Sequence, residues 1–164
     1  GLKKHGRGGF TCHICVLRPK SVGSVKLADA NPNSPPLIDP AFLKDERDLD
    51  TMLAGVKQAQ QIMQAPSFDA HRGKALYAGA SNDDEELKED IRNRADTIYH
   101  PVGTCKMGPD SDPNAVVDQR LRVRGIKSLR VIDASIMPKI VSGNTNAPSI
   151  MIGEKGAHMI LEDA

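Results

Sequence analysis

Over residues 45–64, Leu49, Met52, Leu53, Val56, Ala59 or Gln60, and Met63 recur three and four positions apart, which sets them on one stripe of a helix. Acidic side chains occupy the first turn, where the helix dipole favours negative charge, and Pro66 follows the end. This segment is predicted to be the firmest helix of the chain. A second is expected from near Ser81 or Asn82 through residues 83–95, with Leu87, Ile91 and Ala95 at four-residue spacing. It should deliver the chain directly to Tyr99 and His100. The last helix is expected to start around Ala147, with Pro148 placed where its missing N–H leaves no helical bond unmade, and to run on through residues 149–160. Its apolar residues cover more than one stripe, which predicts burial despite Gly153 and Gly156.

Extended segments are shorter. The first nine residues hold four glycines, and residues 10–19, with their mixture of branched and aromatic side chains, read as a strand ended by Pro19. Residues 21–29 read as a second short strand, joined to the first through residues 20–23 as a hairpin. Residues 31–40 contain too much proline for a helix or a central strand and are expected to be an irregular connection. After the Pro- and Asp-rich stretch at 109–114, Val116 and Val117 and then residues 128–132 read as short strands around a charged, Gly-containing turn at 120–127. No internal repeat or low-complexity segment interrupts this order.

Composition narrows the class. With 164 residues and 39% hydrophobic content the chain has room for one domain with a real core. Aromatic residues make up 3% and Trp is absent, so that core must be filled by Leu, Ile, Val, Met and Ala, and an aromatic binding cage is disfavoured. No apolar run approaches the roughly 20 residues of a membrane span, and the basic start is not followed by an apolar leader segment, so export is not expected. The formal net charge is +1, and Lys3, Lys4 and Arg7 form the only tight basic cluster, which argues against a nucleic-acid footprint. Cys12, Cys15 and Cys105 are an odd number without a disulfide framework and predict a reducing compartment, the cytoplasm or the cytoplasmic face of a membrane.

Several residues invite chemistry. His100 stands between Tyr99 and Pro101, and the proline holds it out of helical backbone, so an imidazole is presented from an extended segment. Alone, it reads either as a base or as a hydrogen-bonded structural histidine. Asn144 and Asn146 crowd the entry to the last helix, where an Asx turn or a helix cap is the plain reading and a donor to a developing alkoxide is the chemical one. Asp133 ends an apolar stretch. The lone C-x-x-C of Cys12 and Cys15 lacks further ligands at zinc spacing, and no metal site is expected. A Cys105–His100 nucleophile pair has no evident orienting group, so Cys105 is assigned to packing. His71 and His158 read as ordinary surface or structural histidines. Residues 153–156, GEKG, lack the spacing of a phosphate loop, and no Gly-x-Gly-x-x-Gly fingerprint occurs anywhere.

Residues 99–108, YHPVGTCKMG, and 130–153, RVIDASIMPKIVSGNTNAPSIMIG, resemble the C-terminal catalytic signature of the glucose–methanol–choline (GMC) family of flavin oxidoreductases. The likeness extends over roughly residues 13–161, with Val22 at a turn where the family usually carries arginine. It implies an FAD-dependent enzyme, of choline-dehydrogenase or related alcohol-dehydrogenase type, that takes a hydride from a primary alcohol. His100 would be the catalytic base and Asn144 its partner across the substrate hydroxyl. Asn146 and Pro148 would lie close to the isoalloxazine ring, with Asp133 and Ala134 near the ribityl and pyrophosphate. The implied fold class is α+β. A substrate-domain portion over 10–98, an antiparallel sheet with packed helices, precedes a catalytic strand–helix return over 99–164, both within one C-terminal domain over 1–164.

The same resemblance implies a Rossmann-like FAD-binding domain ahead of this one as its partner. Without it the chain alone should be inactive, and apolar surface should stand exposed or be buried in a homodimer. A nonenzymatic or separate-subunit module that keeps the fold is the competing reading.

Overall fold

The computed structural model describes residues 9–164; Lys3, Lys4 and Arg7, together with His5 and the first glycines, lie outside the described residues. The chain divides into two compact units, one formed by the segment ending at Val22 with Ala41–Asp96, the other by Gly23–Pro40 with Thr97–Ala164. Two helices belong to the first unit. The second holds a two-stranded hairpin and one further helix.

In the first unit, α1 spans Glu46–Met63 and is capped by Asp45, whose carboxylate accepts from the Arg47 N–H at 3.1 Å. Leu49 and Leu53 on its inner stripe pack with Leu87 and Ile91 of α2, Asp84–Arg94, and Leu43, Met52 and Val56 close the cluster. Of the periodic positions read from the sequence, Leu49, Met52, Leu53, Val56, Leu87 and Ile91 form this core, whereas Ala95 is exposed just beyond the end of α2. Helix α2 starts at the cap Asp83, whose Oδ1 accepts from the N–H groups of Glu85 and Glu86 at 2.9 Å, rather than at Ser81 or Asn82. Ser81 instead braces the cap, accepting from the Asp83 N–H at 3.1 Å.

Asp48 is the buried exception on α1, only 3% exposed. It accepts from the backbone N–H groups of Lys20 and Ser21, each at 2.8 Å. Burial pushes its carboxyl upward, but the Ser21 hydroxyl and these two N–H groups outweigh that and hold it below the usual carboxylate range. A charged side chain therefore pins residues 20 and 21 to the helix.

The expected strand over 10–19 does not form. Its apolar side chains are used singly against helical elements: Phe10 stacks on Phe68 with ring centroids 5.8 Å apart, and Ile14 lies so close to Gly55 of α1 that a Cβ there would stand 2.6 Å from it. Among the described residues the segment pairs with no strand.

In the second unit, β1 (Ser24–Lys26) pairs antiparallel with β2 (Leu37–Asp39) in the register Ser24↔Asp39, Val25↔Ile38 and Lys26↔Leu37. The partner of residues 21–29 is therefore found inside the stretch expected to be irregular. Pro32, Pro35 and Pro36 all fall before β2 and leave its N–H groups free for the ladder. Asp29 closes the connection by accepting from the Asn31 N–H at 2.7 Å and the Ser34 hydroxyl at 2.9 Å.

The core of this unit gathers Val117, Leu121, Ile136, Met137 and Ile152. The strands expected at 116–117 and 128–132 are reduced to isolated bridges, Met107↔Val117, Val117↔Val123 and Arg122↔Arg130. Left-handed backbone at Leu121, Gly125 and Ser128 interrupts every extended run before it can lengthen. Helix α3, Asn146–Glu162, buries Ile152 and Gly156, the latter tight against Ile132. Its expected burial all round is not met, because Ile150, Met151, Ile160 and Leu161 are exposed. Arg120 holds its far end, 3.0 Å from Glu162 and 2.8 Å from Asp163, and Arg130 also bonds Asp163. The α+β expectation is met in coarse form, as three α-helices and one two-stranded antiparallel sheet among the described residues.

Candidate functional site

All six residues singled out from the sequence, His100, Asp133, Ala134, Asn144, Asn146 and Pro148, belong to the second unit. Helix α2 stops at Arg94, so several residues precede His100 rather than a direct hand-over. Tyr99 adopts left-handed backbone, φ 65°, an uncommon state for an aromatic residue, and its N–H is taken by the Thr97 hydroxyl at 3.0 Å. That sharp turn followed by Pro101 fixes the direction in which residue 100 leaves the chain.

Beyond the turn, residues 105–107 run beside a short 3-10 helix, Ala134–Ile136. Cys105 N–H donates to the Ser135 carbonyl at 3.0 Å and Met107 N–H to the Ile136 carbonyl at 2.8 Å. Gly103, φ 89°, passes the Met137 carbonyl, which a Cβ would meet at 3.5 Å. Asp133 caps the 3-10 helix by accepting from the Ser135 N–H at 2.8 Å. Ala134 opens it, with an N–H that has no partner inside the turn.

The decisive contact joins two segments far apart in sequence. His100 Nδ1 lies 3.1 Å from the Thr145 hydroxyl, and the Thr145 N–H points at the same nitrogen from 3.5 Å. Thr145 is 8% exposed, whereas Asn144 and Asn146 on either side of it are exposed and Pro148 is half-buried in the first turn of α3. A second left-handed residue, Ser142 with φ 65°, precedes this group. The half-buried imidazole is therefore held from one side by Thr145 at the mouth of α3, between two exposed asparagines in sequence.

The helix mouth itself is a source of donors. Thr145 occupies the cap position without making a side-chain cap bond, and the first helical N–H groups keep their partial positive charge unneutralised by any acidic first turn. Helix-start N–H groups next to an imidazole are the kind of group that suits an oxygen gaining negative charge.

The structure thus brings His100 to the 144–146 segment, but through Thr145 rather than through a direct bond to Asn144. Asp133 and Ala134 sit on a separate turn that is tied to the histidine segment by backbone bonds. Thr145 escaped the sequence reading because a threonine between two asparagines looks like loop; its one signal was its place at a helix start, where a hydroxyl has a choice of partners. Among the described residues Cys105 is not a hydrogen-bond partner of His100, and Cys12 and Cys15 are exposed. His71 and His158 are exposed, the latter 3.0 Å from Glu162.

Comparison with known proteins bears on this geometry. A family model described as GMC oxidoreductase matches residues 19–153. Among curated proteins, an alcohol dehydrogenase [acceptor] of Pseudomonas putida is 52% identical over 98% of this chain and 30% of its own length. Mitochondrial choline dehydrogenase of Homo sapiens is 45% identical over 95% of this chain and 27% of its own. Among solved structures, pyridoxine 4-oxidase from Mesorbium loti superposes with a TM-score of 0.82 at 33% identity, covering 89% of this chain and 28% of that one. An FAD-dependent oxidoreductase from Chaetomium thermophilum gives 0.82 at 28% identity over 90% and 26%. The chain spans less than a third of the length of the relatives it matches.

Proposed function

The chain belongs to the GMC oxidoreductase family, and we propose that it forms the substrate-binding and catalytic C-terminal part of an FAD-dependent dehydrogenase acting on a primary alcohol, with choline as one candidate. The observation that carries this reading is the contact of His100 with Thr145 across 45 residues, which holds an imidazole at the mouth of α3 beside Asn144.

The donor set fits a flavin. Asn146 and Pro148, on the first turn of α3, would lie along the isoalloxazine ring, where an uncapped helix start favours a group that gains electron density. Asp133 commits one oxygen to Ser135 and keeps the other for a ribityl hydroxyl, while Ala134 offers a backbone donor. When bound, FAD supplies the acceptor for the hydride. His100 takes the hydroxyl proton at Nε2, so the alcohol O–H bond breaks as an N–H bond forms. The Asn144 amide donates to the alkoxide that results, and the carbinol carbon then gives up hydrogen with its electron pair, leaving an aldehyde. The exposed apolar side of α3, Ile150, Met151, Ile160 and Leu161, supports a covering partner, for which we propose the FAD-binding portion of the same enzyme in the cytoplasm or at the cytoplasmic face of a membrane.

The test is the flavin absorbance of the chain joined to its FAD-binding portion and loaded with FAD, on anaerobic addition of choline and of simple primary alcohols. Bleaching by one of them, lost in His100→Gln, is expected. Flavin that stays oxidised with every alcohol would sink the proposal and favour a nonenzymatic module.

A further inference from the structure

We infer that the Thr145 hydroxyl is the acceptor that holds His100 in its charged form, which makes Thr145 a positioning residue for the proton transfer; this rests on the proposed function, in which His100 is the base. Thr145 stands at the cap position of α3, where a threonine ordinarily accepts an N–H of the first turn, yet it makes no such bond. At 8% exposure its hydroxyl needs a partner within the protein. That partner is Nδ1 of His100, 3.1 Å away, and the Thr145 N–H lies 3.5 Å from the same nitrogen.

The two groups differ in what they can do. A backbone N–H only donates, whereas a hydroxyl rotates and either donates or accepts. A neutral imidazole with its lone pair on Nδ1 is served by both groups, and one with its proton on Nδ1 by the hydroxyl alone. The charged ring is the same whichever neutral form precedes it, because imidazolium carries a proton on each nitrogen. Once the ring holds the alcohol's proton, Nδ1 is a donor and needs an acceptor. The Thr145 N–H cannot be one, and the Thr145 carbonyl is filled by the Ser149 N–H at 3.0 Å and the Ser149 hydroxyl at 2.6 Å. The Thr145 hydroxyl remains. As the alcohol O–H bond breaks, its electron pair stays on oxygen and an N–H bond forms on the ring, while the hydroxyl turns its lone pair toward Nδ1–H. Thr145 itself gains and loses no proton.

Thr145→Val deletes the hydroxyl while keeping the branched shape and the N–H; Thr145→Ser keeps the hydroxyl. The protein for the test is the chain joined to its FAD-binding portion and loaded with FAD. Proton NMR with nitrogen-labelled histidine at mildly acid pH, the charged ring being identified by its nitrogen shifts and the residue by His100→Gln, follows exchange of the Nδ1 proton with water. Slow exchange is expected in the wild type and in Thr145→Ser, and exchange roughly tenfold faster or more in Thr145→Val. Alcohol-dependent flavin reduction should slow by roughly ten- to a hundredfold in the valine variant, the span of a hydrogen bond to a charged group, with the half-saturating alcohol concentration unchanged, and recover in the serine variant. A wild-type Nδ1 proton that exchanges as fast as that of free imidazolium, or a valine variant that matches the wild type in either exchange or rate, would overturn the inference. Should the valine variant fail to fold, the wild-type and serine spectra decide, since fast exchange in either is fatal. No flavin reduction in the wild type would sink the proposed function, and slow exchange there would still support the hydroxyl as acceptor of the charged ring.

Discussion

The first unit is held by two capped helices whose inner stripes meet, Leu49 and Leu53 against Leu87 and Ile91, whereas the second is held by single-residue bridges, turns and one helix around Val117, which is fully buried. Regular hydrogen bonding carries the first unit, and side-chain packing with backbone turns carries the second. The candidate site lies in the irregular one. A helix repeats one backbone conformation and spaces its side chains by a fixed angle, so contacts between distant segments such as His100 and Thr145 need irregular backbone. Left-handed residues at Tyr99 and Ser142 lie close to these two positions, at the expense of local regularity.

This contrast can be attacked from several sides. The largest effect is expected at the site: His100→Gln should slow alcohol-dependent flavin reduction by about 10²–10⁴-fold, the range typical of a lost general base, with little change in urea stability. Stopped-flow absorbance checks the first part and equilibrium denaturation the second. A slow variant that is also strongly destabilised would assign His100 to the scaffold.

Next come the two cores. Leu87→Ala and Ile152→Ala each remove a buried branched side chain and should each cost about 2–5 kcal/mol. Only Ile152→Ala is expected to alter the His100 imidazole signal, because Ile152 lies on α3, whose start carries Thr145. Equal disturbance of that signal by both substitutions would break the distinction between the units.

Asp48→Asn sharpens the picture of the first unit. It replaces one acceptor oxygen by a donor facing the N–H groups of Lys20 and Ser21, and should cost about 1–3 kcal/mol. Hydrogen exchange of those two amides should rise well above that of their neighbours. Unchanged exchange would mean that the segment is held by other contacts.

The smallest effect concerns acid. The hydrogen bond from Arg47 lowers Asp45 from an ordinary 3.8 to about 2. A carboxyl with a depressed folded value stabilises the fold fully above pH 3.8, and that contribution disappears as pH falls toward 2. Asp48 shifts in the same direction and adds to it. Urea midpoints measured from neutral pH downward should therefore drop in this window, less steeply in Asp45→Asn. The same slope in the variant would show that Asp45 contributes nothing.

How much of this was legible in the sequence follows the same division. Helix α1 was readable because its stripe, its acidic first turn and the following Pro66 all agree. Residues 10–19 misled because branched and aromatic side chains mark a strand only when another strand is available, and Phe10 and Ile14 are used on helical elements instead. Strand β2 was hidden by its proline neighbours. In the second unit, the segments that hold the site residues could be named, but not their assembly, since nothing in residues 99–108 or 142–148 announces that Thr145 turns from its own helix to meet His100.

Helix α3 is fastened at both ends, at its start through Thr145 and at its far end through Glu162 and Asp163 to Arg120 and Arg130. Its length is consequently a fixed dimension of the molecule. One residue inserted between Ile152 and Met159 would advance the far end by about 1.5 Å and swing it by about 100°, carrying both carboxylates away from the arginines, while the exposed face between them could change composition without moving either anchor. Variation in this helix is open to substitution and closed to insertion.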